Sequence, residues 1–113
     1  MIVRHIPLFQ VDAFTDKMFA GNPAAVVIID HNPDRDWMLR VAGEMNLSET
    51  AFVYPLGEQF GLRWFTPRTE VELCGHGTLS AAHILWETRT VPVDRVITFN
   101  TLSGLLGAQR TDE

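Results

Sequence analysis

Apolar and polar residues fall in short blocks whose period switches between two and about three and a half along the chain. Residues 3–13, V-R-H-I-P-L-F-Q-V-D-A, set Ile6 and Leu8 against His5, Pro7 and Gln10. That is a strand pattern, and Pro7 argues for an edge position or a bend. Ala24 to Ile29, A-A-V-V-I-I, is a continuous run rich in β-branched residues and predicts a buried strand. Between them F-T-D-K-M-F-A-G-N-P, residues 14–23, is a loop broken by Gly21 and Pro23.

The period then lengthens. Trp37, Met38, Val41 and Met45 recur at helical spacing after Asp34, a fitting N-cap, and Asn46 is a stop signal. In residues 47–55 it shortens again: Thr50, Phe52 and Tyr54 alternate with Glu49, Ala51 and Val53 until Pro55. Residues 60–67, F-G-L-R-W-F-T-P, are the returning strand of a hairpin. In extended chain Glu70 and Glu72 share one face, with Val71 and Leu73 on the other. A helix over about 77–87 follows, then a strand at 95–100, a turn at Ser103-Gly104 and a last strand from Leu105. The predicted order is β-β-α-β-β-α-β-β.

The second helix is apolar around nearly its whole circumference, with Leu79, Ala81, Ala82, Ile84, Leu85 and Trp86. Such a helix is expected to be buried on all sides. The fold expected is therefore α+β: a curved, mostly antiparallel, barrel-like sheet wrapped around a central helix, in one domain over residues 1–113. The last strand has no following partner, and an open edge of this kind is expected to pair with a second copy.

Composition narrows the function. The 113 residues carry a net charge of -5 and nine scattered basic residues, which argues against nucleic acid and anionic membranes as partners. No apolar run approaches the roughly 20 residues of a membrane span. The start M-I-V-R-H lacks the layout of a signal peptide. One cysteine forms no internal disulfide, so the expected location is the reducing cytoplasm.

The candidate chemistry centres on residues 65–85, F-T-P-R-T-E-V-E-L-C-G-H-G-T-L-S-A-A-H-I-L. Gly75 and Gly77 bracket His76 directly after Cys74, where a helix begins. Free N–H groups at a helix N-terminus seat a carboxylate, so the expected ligand is a small anion. His76 reads either as a substrate-gripping or proton-shuttling imidazole or as a histidine bonded into its own turn. Cys74 reads as an activated thiolate or as a small buried hydrophobe. Glu49 reads as a general acid/base if burial suits it to proton transfer, or as a solvated charge at a strand entrance. Glu70 and Glu72 read as paired acids or as one supporting and one surface carboxylate. A shared metal is not expected: His76 and His83 lie about 10 Å apart along a helix, and no H-E-x-x-H is present. No G-x-G-x-x-G, P-loop or G-x-S-x-G is present either, so no cofactor is expected.

Four stretches, taken together and in order, resemble the phenazine-biosynthesis PhzF-like isomerases. They are V-D-A-F-T-D-K-M-F-A-G-N-P-A-A-V at 11–26, M-N-L-S-E-T-A-F-V at 45–53, L-R-W-F-T-P at 62–67 and V-E-L-C-G-H-G-T-L at 71–79. The resemblance implies one half of a diaminopimelate epimerase-like fold and a cofactor-free proton shift on a small carboxylated metabolite. It implies Glu49 as the acid/base and Gly75, His76 and Gly77 as the turn that grips substrate. Asn22 matches the loop facing the cleft, and Ser48 joins the substrate-binding set. Cys74 and Glu72 are secondary candidates.

Family members are more than twice as long, their second half supplying the opposite wall. The resemblance therefore implies completion by a homodimer or by a complementary half-domain chain. Two alternatives remain open. C-G-H-G also resembles proline racemase-like enzymes, which would make Cys74 of each subunit a two-thiol proton-transfer pair. The non-enzyme reading is a small-anion-binding or assembly module.

Overall fold

The computed structural model describes residues 6–13 and 22–110, with the side chains of Asp12, Ala13, Asn22 and His76 outside that description. Among the described residues, seven strands form a single sheet: β1 (Leu8–Ala13), β2 (Asn22–Ile28), β3 (Glu49–Leu56), β4 (Gln59–Phe65), β5 (Glu70–Val71), β6 (Ile97–Thr101) and β7 (Gly104–Ala108). Two helices, α1 (Arg35–Met45) and α2 (Gly75–Glu87), interrupt them. The sheet order is β1-β2-β3-β4-β6-β7, and the short β5 pairs with β4. The predicted loop over 14–23 falls largely outside the described residues.

The expectation of a curved, mostly antiparallel barrel around a central helix is not met. The sheet is open and mixed: β2 runs parallel to β3 and β4 parallel to β6, while the other pairings are antiparallel. The cause lies in the connections. A helix between two strands returns the chain to the end where it began, so β2–α1–β3 and β4–α2–β6 are crossovers between parallel neighbours. The two crossovers start from strands of opposite direction and step the same way across the sheet. With right-handed crossovers, the helices go to opposite faces.

Packing agrees with that rule. On the α2 face, Val26, Ala51, Leu62, Trp64 and Phe99 meet Ala81, Ala82 and Leu85. On the α1 face, Val27, Phe52 and Phe65 meet Met38 and Ala42. Phe52 stands edge-on to both Trp37 and Phe65, with ring centroids 5.9 and 5.5 Å away. The α1 helix stops where Asn46 enters the left-handed region at φ 51°, its N–H bonded to the Ala42 carbonyl.

Nor is α2 buried on all sides. Leu79 is 49 % exposed, and Gly75, His83 and Glu87 at the same four-residue spacing are exposed too. The helix lies on one face of a sheet and presents a stripe outward. Its N-terminus sits beside the end of the sheet where β2 and β3 begin. Among the described residues no helix is long and apolar enough to cross a membrane.

Candidate functional site

Glu49 is the first residue of β3 and pairs with Ala24 of the parallel strand β2. Strand periodicity puts its side chain with Ala51 and Val53, which pack under α2, while Thr50, Phe52 and Tyr54 take the opposite face. Asn22 starts β2 two residues before Ala24, so Asn22, Ser48 and Glu49 all stand at one end of the sheet. The Asn22 side chain, expected to face the cleft, lies outside the described residues. Ser48 is exposed, and Glu49 is half-buried.

Cys74 is the N-cap of α2, with extended backbone at φ -146° and ψ 106°. Its sulfur accepts the Gly77 N–H at 3.0 Å. Its carbonyl accepts both the N–H and the hydroxyl of Thr78, at 3.0 and 2.7 Å. The thiol itself donates to Oε2 of Glu49. A carboxylate, a thiol and a helix N-terminus therefore meet at one point, brought there by β3 and α2. The helix begins at Gly75, two residues earlier than predicted.

The two glycines differ. Gly77 is buried, and a β-carbon there would stand 2.6 Å from Cδ1 of Trp64 and 3.0 Å from Sγ of Cys74. Gly75 is exposed, and a β-carbon there would meet nothing within 4 Å. His76 lies in the first turn, and its side chain is outside the described residues. Glu72 is exposed; its carbonyl accepts the Ser103 hydroxyl at 2.6 Å, tying the β6–β7 turn to the approach to α2.

Glu70 is elsewhere. It pairs with Phe65 on the α1 face, and Arg63 grips its carboxylate through Nε and Nη2, both at 2.8 Å. Arg35, from the start of α1, adds a bond at 3.3 Å. The hydrogen bonds from Arg63 hold the Glu70 carboxyl below its ordinary value despite burial, and the same pairing raises Arg63. This is a tie between α1 and the sheet, and the Glu70 carboxylate is engaged by these two arginines.

Sequence reasoning missed Trp64 as part of the site's floor. Its indole is 1 % exposed, lies against Gly77, and its N–H has no hydrogen-bond partner among the described residues. Nothing in the local pattern marks it apart from its inward position in β4. Among the described residues no three His, Cys, Asp or Glu side chains gather as a metal centre.

A family model described as phenazine biosynthesis-like protein (PhzC-PhzF) matches residues 11–113. An uncharacterized isomerase of Halalkalibacterium halodurans is 54 % identical over 107 residues, covering 95 % of this chain and 40 % of the relative. A human phenazine biosynthesis-like domain-containing protein is 46 % identical over 116 residues, covering 96 % of this chain and 40 % of its own length. The crystal structure of a PhzF-family phenazine biosynthesis protein from Enterococcus faecalis superposes with a TM-score of 0.88 at 41 % identity, over 96 % of this chain and 41 % of that one. A Bacillus anthracis member gives 0.79 at 36 % identity, over 90 % and 34 %. The chain thus spans about 40 % of the length of the curated relatives it matches.

Proposed function

The chain belongs to the phenazine biosynthesis-like (PhzC-PhzF) family, and we propose that it forms one wall of a cofactor-free isomerase site in which Glu49 moves a proton on a small carboxylate-bearing metabolite. The observation that carries this reading is the Glu49 carboxylate held at the N-terminus of α2. The Halalkalibacterium halodurans relative is described as an isomerase, which supports the reaction class.

The chemistry follows from those groups. Glu49 takes a carbon-bound proton while the C–H electron pair delocalises toward the substrate's unsaturated, carboxyl-bearing portion. The same carboxyl then returns a proton to another carbon, so atoms, charge and oxidation level balance without a co-reactant. The substrate's own carboxylate is proposed to sit on the first turn of α2. There the Gly77 amide is already bonded to sulfur, which leaves those of Gly75 and His76 for the anion. Gly75 has open space around it for such a ligand. The His76 imidazole, with Ser48 and Asn22, is proposed to complete the grip.

The second wall is proposed to come from another copy of this chain or from a complementary one. Leu79 on the open stripe of α2, and Leu73 just before the helix at 62 % exposed, are large apolar groups beside the site that the described residues leave uncovered. The test is solvent-deuterium uptake into a carbon position of a carboxylated metabolite, which Glu49→Gln must abolish.

A further inference from the structure

The proton transfer assigned to Glu49 gives the Cys74 thiol no task, yet that thiol touches the carboxylate. Cys74 is an unusual choice for the place it holds. Ser, Thr, Asp and Asn are the residues that cap helix N-termini well. If capping α2 were all that position 74 had to do, a serine would serve better.

The contacts supply the other task. Cys74 is 6 % exposed, and its sulfur is fixed from the helix side by the Gly77 amide at 3.0 Å. The Trp64 indole fills the space beyond Gly77. From that fixed sulfur the S–H reaches Oε2 of Glu49. A glutamate at the start of a strand otherwise has three side-chain torsions to spend, and ordering it costs free energy. A bond to one oxygen fixes the direction of the other.

We propose that Cys74 is the positioning residue for Glu49: its thiol holds Oε2, so that Oε1 is the oxygen presented to the substrate. This rests on Glu49 being the acid/base. The line of constraint runs from the first turn of α2 through Sγ to the carboxylate, and the helix thereby sets the aim of a residue on β3.

Cys74 is the chain's only cysteine, so its S–H stretching band in the infrared belongs to one known group. In the intact chain that band is expected at lower frequency than in Glu49→Leu, because donation to a carboxylate weakens the S–H bond. Identical bands in the two proteins would overturn the proposal. These proteins keep the thiol and the cap, so the test survives even if a Cys74 variant fails to fold. The kinetic counterpart uses the carboxylate that takes up deuterium. Cys74→Ala is expected to lower kcat about 10- to 100-fold with KM little changed, as misaimed groups do, and Cys74→Ser to recover part of it. If the thiol only caps, Cys74→Ala lowers stability and leaves kcat alone. If Glu49→Gln keeps full exchange, the isomerase reading fails whatever the band does. If Glu49→Gln loses exchange while the band ignores Glu49 and Cys74→Ala keeps its kcat, this inference alone fails.

Discussion

Gly77 rests directly against the indole of Trp64: a β-carbon on Gly77 would lie 2.6 Å from Cδ1 and 3.1 Å from Nε1. Trp64 is buried in β4 under α2 and has no room to withdraw. The first turn of the helix is thus seated on a tryptophan, and only a residue without a side chain allows that approach.

Gly77→Ala is therefore expected to destabilise the chain by about 1–3 kcal/mol through overpacking. Gly75→Ala, where a β-carbon meets open space, should change stability by no more than about 0.5 kcal/mol. Urea unfolding of the two variants beside the wild type measures this. Equal effects would contradict the assignment of Gly77 to packing and Gly75 to open ground.

The Arg63–Glu70–Arg35 cluster predicts an acid-sensitive part of the stability. The Glu70 side chain is only 8 % exposed, and its carboxyl is held below its ordinary value first by the hydrogen bonds from Arg63. A depressed carboxyl contributes stability that is fully present above its unfolded value and is lost as pH falls through the folded one. Glu70→Gln should cost about 2 kcal/mol near neutral pH, by stripping a half-buried guanidinium of its partner, allowing for solvent around Arg35. Below the carboxylate range the two proteins should converge. Parallel pH–stability curves would contradict the assignment.

The exposed stripe of α2 predicts association. With a 12.7 kDa chain, light scattering across a dilution series should give close to twice that mass. Leu79→Glu, which puts a charge on the 49 % exposed position, should return the monomer without loss of helical signal. A wild type that stays monomeric throughout overturns completion by a second copy.

The bond from the Cys74 thiol to Glu49 of the same chain also bears on the two-thiol alternative. A two-thiol enzyme loses activity on iodoacetamide treatment and keeps it in Glu49→Gln. The present reading predicts that Cys74→Ser keeps part of the deuterium exchange and Glu49→Gln keeps none. The reverse pair of results would restore the thiol mechanism.

Much of the site was legible because it follows local rules. Period-two alternation in residues 47–55 already set Glu49 on the face of Ala51 and Val53, and C-G-H-G marked a turn into a helix. The end of α1 at Asn46 was readable for the same reason. What failed depended on tertiary partners. Counting apolar residues in α2 shows that the helix tends toward burial but not what covers it, so the count alone does not reveal that Leu79 is exposed. The parallel pairing of β2 with β3 and β4 with β6 is implicit in the helical connections, whereas an all-round apolar helix by itself favours a wrapped barrel. Trp64 beneath Gly77, and Arg63 on Glu70, are side-chain meetings between elements that no spacing in the chain announces.

Proton transfer at carbon by Glu49 leaves an isotopic trace. The most direct measurement incubates the chain in deuterium oxide with a small-molecule carboxylate extract, at concentrations where light scattering shows it assembled, and reads the metabolites by mass spectrometry. The expected result is one deuterium fixed on carbon in at least one carboxylate, absent with Glu49→Gln. An extract left unlabelled by the assembled wild type, or labelling that persists in Glu49→Gln, would contradict it.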